Sequence, residues 1–149
     1  MYAVQMKLPF GLWLALGLVG CAGTTAVPAG VPVRTLVSKT LTFHGTASPT
    51  LSNPSCSVST PVKPIHVLEL VEDTRATILL TPSIGEPALP LATLRLTNLE
   101  TNRTWCVMTQ RDGTPAALGG EFPSGQYGVS VAEVNGAPPR RYEVRVEKL

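Results

Sequence analysis

Beyond residue 32, apolar and polar residues alternate over short stretches, the period of a strand that buries one face. Val33 to Val37 and Leu41 to His44 open the pattern, with Leu41 and Phe43 on one face and Thr40, Thr42 and His44 on the other. Ile65 to Val71 sets His66, Leu68 and Leu70 against Val67, Glu69 and Val71, and Glu72-Asp73-Thr74 is expected to turn it back into Arg75 to Thr81, where Ala76, Ile78 and Leu80 face one way. Leu91 to Leu99 places Leu94 and Leu96 opposite Arg95 and Thr97. Thr104 to Gln110 opposes Trp105 and Val107 to Cys106 and Met108. Two last runs, Gln126 to Glu133 and Arg141 to Glu147, alternate around Tyr127, Val129, Val131 and Tyr142, Val144, Val146; Asn135-Gly136 lies between them and predicts a terminal hairpin or neighbouring strands.

Turn chemistry separates these runs. Pro82 to Pro90, Glu100 to Arg103, Arg111-Asp112-Gly113-Thr114 and the stretch through Leu118-Gly119-Gly120 to Gly125 are read as loops or turns. The longest predicted loop, Gly45 to Pro64, is dense in Ser, Pro, Asn and Thr and contains Cys56. No sustained helical period follows Cys21, and no internal repeat is visible. About eight short strands at this spacing predict an all-β fold, an antiparallel β-sandwich or barrel.

The first 20 residues differ. Lys7 is followed by an apolar run from Leu8 to Val19, broken by Pro9, Gly11 and Gly17 and ending in Leu18-Val19-Gly20-Cys21. This is the layout of a signal peptide, with a core short for a bilayer span. The last four residues resemble a bacterial lipobox. The resemblance implies cleavage before Cys21, diacylation of its thiol, and a lipid on the new N-terminus that inserts in a membrane. An ordinary secretory signal cut near Ala22 and an uncleaved anchor are the alternatives. Residues 21–32 are small and proline-punctuated without charge, a tether that cannot bury enough surface to fold alone. Residues 33–149 form the predicted domain. In enterobacterial-type lipoproteins an aspartate after the lipidated cysteine favours inner-membrane retention; Ala22 stands there, so an outer-membrane lipoprotein facing the periplasm or the cell surface is expected.

Composition agrees with turn-rich β structure: 13 glycines and 14 prolines against 15% charged residues. A net charge of +2 without a basic stripe gives no nucleic-acid footprint. Of three cysteines, Cys21 is assigned to lipid, leaving Cys56 and Cys106 as one disulfide pair in an oxidising compartment, or as two free thiols.

A second resemblance rests on Pro123-Ser124-Gly125-Gln126-Tyr127-Gly128-Val129-Ser130-Val131 and Tyr142-Glu143-Val144-Arg145-Val146, after the strands from Ile65, Ala76 and Ala92. From Ile65 to Leu149 the chain resembles the bacterial pre-peptidase C-terminal domain, which implies a jelly-roll-like sandwich. Calcium-binding members carry acidic residues on the strand matched by Ala92 to Leu96. None stands here, so the fold is carried over without the metal site.

Chemistry-bearing residues are few. His44 and His66 lack the further ligands a zinc site needs. There is no Gly-x-Ser-x-Gly elbow, Ser124 sits in a turn, and Cys106 follows Trp105 on a strand rather than opening a helix. Glu69, Glu72, Asp73, Glu143 and Glu147 read as solvated carboxylates. Asn102-Arg103-Thr104 fits a glycosylation pattern that carries little weight in a bacterium. No catalytic residue, metal or cofactor is expected. Arg140 and Arg141 form a small basic rim with Arg145 and, with Trp105, are the candidate partner contacts; Trp105 is read either as core or as an exposed anchor. The expected function is a non-catalytic envelope lipoprotein that binds or supports another envelope protein. The alternative is a carbohydrate- or peptidoglycan-binding module, whose glycan would need an aromatic platform from Trp105, Tyr127 or Tyr142.

Overall fold

The computed structural model describes residues 27–51, 56, 63–134 and 138–149, so the signal-like run and Cys21 lie outside the described residues. The described residues form ten strands: β1 (Val33–Thr35), β2 (Thr40–Thr46), β3 (Ser48–Leu51), β4 (His66–Leu70), β5 (Thr74–Pro82), β6 (Thr93–Asn98), β7 (Thr104–Met108), β8 (Ala116–Phe122), β9 (Gly125–Val134) and β10 (Arg141–Lys148). One sheet runs β1-β4-β9-β6-β7, with β3 added on β9; the other runs β2-β10-β5-β8. All pairings are antiparallel except β1 with β4 and β3 with β9. The fold is a β-sandwich.

The core lies between the sheets. Leu68, Leu70, Leu94, Leu96, Tyr127, Val129 and Val131 come from one sheet, and Phe43, Ala76, Ile78, Leu80, Phe122, Tyr142, Val144 and Val146 from the other. Burying each large side chain contributes on the order of 2 kcal/mol. All of these except Phe122, which lies in the stretch read as a loop, share the faces that the period of two picks out.

The connections differ from the expected ones. Of strands consecutive in sequence, only β6 and β7 pair with each other, through the Glu100 to Arg103 turn. The turn after β4 leads into the opposite sheet rather than into a hairpin, and β9 and β10 likewise belong to different sheets. Alternation fixes which face of a strand is buried but not which neighbour it bonds, and in a sandwich a turn can cross between layers as readily as return. The strand β8 occupies the stretch predicted as a loop. Its alternate residues Ala116 and Phe122 are buried and Leu118 is half-buried, while pairing with β5 supplies what its weak intrinsic propensity does not. Part of the Gly45 to Pro64 loop is also strand, as β3.

The outward face of the larger sheet is unexpectedly dry: Val67, Arg95, Ser130 and Ala132 are all buried. Pro64 and Leu99 stand over Gly128 on that face, where a Cβ would come within 3.0 Å of Pro64. Cys106, also outward, is bridged to Cys56 with the Cα atoms 5.5 Å apart. At the start of the domain, Pro32 accepts a hydrogen bond from the Val67 amide at 3.3 Å, so the last residue of the predicted tether is already pinned to β4.

Candidate functional site

The sandwich is least closed along the side where the edge strands β7 and β8 face one another. Trp105 and Val107 on β7 and Leu118 on β8 point inward but are only partly buried. The Trp105 ring packs at 5.5 Å from Phe122 and 5.8 Å from Tyr127, and the Arg103 guanidinium lies over it at 4.8 Å. The β6–β7 turn sets this arrangement. Asn98 is buried and its side-chain oxygen accepts the amides of Glu100 at 3.0 Å and Thr101 at 2.8 Å, while Asn102 takes the left-handed backbone that asparagine tolerates (φ 59°). Trp105 is thus neither wholly core nor a bare platform: one face is packed and an arginine covers it.

Beside it opens a groove of about 490 Å³ lined by Asp73, Arg75, Arg103, Glu121, Phe122 and Pro123. Asp73 accepts the Ser124 amide at 2.8 Å, which ties the turn after β4 to the start of β9. Tyr127 donates to the Pro123 carbonyl at 2.6 Å across the same corner. Burial raises the Tyr127 phenol, as Asp73 does to a lesser degree, while Asn98 and Arg103 pull it down. The lining carries two guanidiniums and two carboxylates and neither a histidine nor a cysteine. Such a wall can hold a polar chain of mixed charge by hydrogen bonds and ion pairs.

The structure does not bring the expected contact residues together. Arg140 donates to the Ala88 carbonyl, and Arg141 pairs with Glu86 at 2.8 Å, both against the Pro82 to Pro90 loop. That is the Pro82 end of β5, whereas the groove is at its Thr74 end; at about 3.3 Å per residue the two are on the order of 25 Å apart. Arg145 pairs with Glu147 at 3.1 Å. The aromatic platform is also reduced, since Tyr127 and Tyr142 are both fully buried.

Two features escaped sequence reasoning. His66 and Tyr142, 76 residues apart, share a buried hydrogen bond of 3.0 Å, with the Phe43 ring 5.1 Å from the imidazole. Burial, then Arg34 and His44, lower the His66 pKa and keep the ring neutral; burial pushes the Tyr142 hydroxyl up to about 12. Gly45 makes room for the pair, because a Cβ there would overlap the Tyr142 hydroxyl. No local spacing announces a contact of such separation. Glu133 is the second: it is 1% exposed, one carboxylate oxygen lacks a hydrogen-bond partner, and burial raises its pKa against the pull of Arg140. Here a signal existed, since the phase of Tyr127, Val129 and Val131 carries Glu133 inward.

Among the described residues no group of three or more His, Cys, Asp or Glu is placed to hold a metal ion. The chain matches no model of a known protein family, and no curated protein matches it in sequence.

Proposed function

We propose that this chain is a non-catalytic, lipid-anchored protein of the bacterial envelope whose β-sandwich binds or supports another envelope protein. The observation that carries the proposal is the fate of the cysteines. Cys56 and Cys106 are joined to each other, so Cys21, directly after Leu18-Val19-Gly20, is the one cysteine of the sequence outside that bridge. A disulfide also suits an oxidising compartment outside the cytoplasm. The likeness to the pre-peptidase C-terminal domain belongs to the same proposal. It is supported by a sandwich in which the Gly125-Gln126-Tyr127 strand and the closing Tyr142 strand are each central to a sheet.

The glycan-binding alternative is weakened by the burial of Tyr127 and Tyr142, which leaves only Trp105, half-covered by Arg103. Mass spectrometry of the membrane-extracted protein tests the anchor. A mature N-terminus at Cys21 bearing acyl chains is expected, together with loss of the Cys21→Ser protein from the membrane fraction. A Cys21→Ser protein that still pellets with membranes removes the lipid anchor. Cross-linking in cells then tests the partner, and recovery of wall glycan alone would favour the alternative.

A further inference from the structure

Among the described residues five strands have a single neighbour, and four of them are obstructed; β3 is four residues long, contains Pro49 and shifts register against β9. The β2 edge has Lys39 before it and gives its Thr42 carbonyl to the Arg34 side chain at 2.6 Å. The β1 edge is three residues long. On β7, Arg103 lies over Trp105 and Cys106 carries the bridge to Cys56. The fifth, β8, is defended only by the single charge of Glu121. Its seven residues, Ala-Ala-Leu-Gly-Gly-Glu-Phe, contain no lysine, arginine or proline, and pair with β5 in unbroken register without a bulge. An edge so plain offers a row of free backbone donors and acceptors to another strand.

We infer that β8 is a docking edge for a second copy of this chain, the two copies of β8 pairing antiparallel about a twofold axis at Gly119. The sequence of the strand is self-complementary about that residue. On the inward face Leu118 meets Gly120 of the second copy and Phe122 meets Ala116; on the outward face Ala117 meets Glu121, and Gly119 meets itself. Every large residue faces a small one. The one charge, Glu121, lies opposite an alanine, so no like charges confront each other. The space beside Gly120 is real: a Cβ there would meet only the Phe122 ring, at 3.9 Å. Leu118 of the second copy would cover that space, and the half-exposed Leu118 would itself be covered in return. The result is a continuous sheet of twice the width, and a β7–β8 side sealed in both copies. An isologous contact of this kind closes after two chains and does not propagate.

The register is testable in the full-length chain, in the membranes of an expression host, with copper–phenanthroline as oxidant and non-reducing gels as readout. Residues directly opposed in an antiparallel pair have Cα atoms about 4.5–5.5 Å apart, within disulfide reach. Gly119→Cys is therefore expected to form a covalent dimer well above the background of the unaltered chain. Ala117→Cys alone and Glu121→Cys alone should stay at background, and the two co-expressed should cross-link. Adding Gly119→Lys to that co-expressed pair should abolish the product, because two ammonium groups would meet at the axis. Gly119→Cys at background, or Ala117→Cys dimerising as well alone as with Glu121→Cys, overturns the inference. Should Gly119→Cys not accumulate, failure of the co-expressed pair to cross-link overturns it equally.

Discussion

Two aromatic clusters, each built on a fully buried tyrosine, meet different fates in this sandwich. Around Tyr142 the side chains of Phe43 and His66 close completely, and Gly45 is shaved to the backbone to admit them. Around Tyr127 the rings of Phe122 and Trp105 pack edge to face, yet the cluster stays open toward the groove beside Arg103. The difference lies in position rather than composition. Both tyrosines sit inside their sheets, on β10 and β9, but the first cluster takes one ring from an edge strand, Phe43 on β2, whereas the second takes two, Trp105 on β7 and Phe122 on β8. An edge strand can still bury its ring, as Phe43 and Phe122 show; the opening lies at Trp105, where two edge strands face one another.

The largest expected effect tests what holds the open side. Cys56→Ser combined with Cys106→Ser releases β7 from a loop of 50 residues. Urea denaturation should show a loss of about 4 kcal/mol on the chain-entropy argument. Hydrogen exchange should then quicken first in β7 and not in β10. Equal quickening in both would erase the contrast between the clusters.

One substitution made in both regions should be costly in one and tolerated in the other. Gly45→Ala drives a methyl into the Tyr142 hydroxyl and should cost about 2–3 kcal/mol. Gly120→Ala adds a methyl beside open space and should be neutral, or stabilising by about 0.5 kcal/mol through the unfolded chain. Thermal melting separates them, and a Gly45→Ala protein that melts normally would show that the Tyr142 cluster has slack.

Smaller again is loss of the phenols. Tyr142→Phe strands the buried His66 nitrogen and should cost about 1–2 kcal/mol, whereas Tyr127→Phe frees a backbone carbonyl at the rim of the groove and should cost less. The reverse order of melting temperatures would contradict the picture of one shut and one open cluster.

The smallest expected effect is a pH dependence confined to the shut cluster. Above pH 6.5 His66 is neutral in folded and unfolded chains alike and its contribution is intact. As the pH falls below 6.5 the unfolded chain gains a proton that burial, Arg34 and His44 deny the folded one, so stability is lost toward the lowered pKa. His66→Gln should therefore melt with a shallower fall between pH 7 and pH 5 than the unaltered chain.

Much of this architecture is legible along the chain. Period-two alternation finds β2, β4, β5, β6, β7, β9 and β10, and nearly all of the inward residues, because burial on one face must repeat every second residue. It misses β8, whose glycines and alanines have little intrinsic preference for a strand and are held there by β5. It misassigns neighbours, since Glu72-Asp73-Thr74 is an equally good turn whether the chain returns or crosses. The site divides the same way. Counting three cysteines leaves Cys56 and Cys106 as a pair or as free thiols, and the structure joins them; the alternation leaves Trp105 as core or as an exposed anchor, and the structure makes it partly buried. The distance between Trp105 and the arginines 140 and 141 depends on the order of strands, which no local pattern encodes.

That order has a consequence in time. The last two strands, β9 and β10, are the central strands of their respective sheets: β9 joins β3, β4 and β6, and β10 joins β2 and β5. Until residues 125–148 are available, the earlier segments are flanks with no middle. A chain made from its N-terminus can pair β1 with β4, β5 with β8 and β6 with β7, but it completes neither sheet before its final two dozen residues. Completion of the core is thereby postponed to the end of the chain, since the last strands to be made are the ones that join the rest.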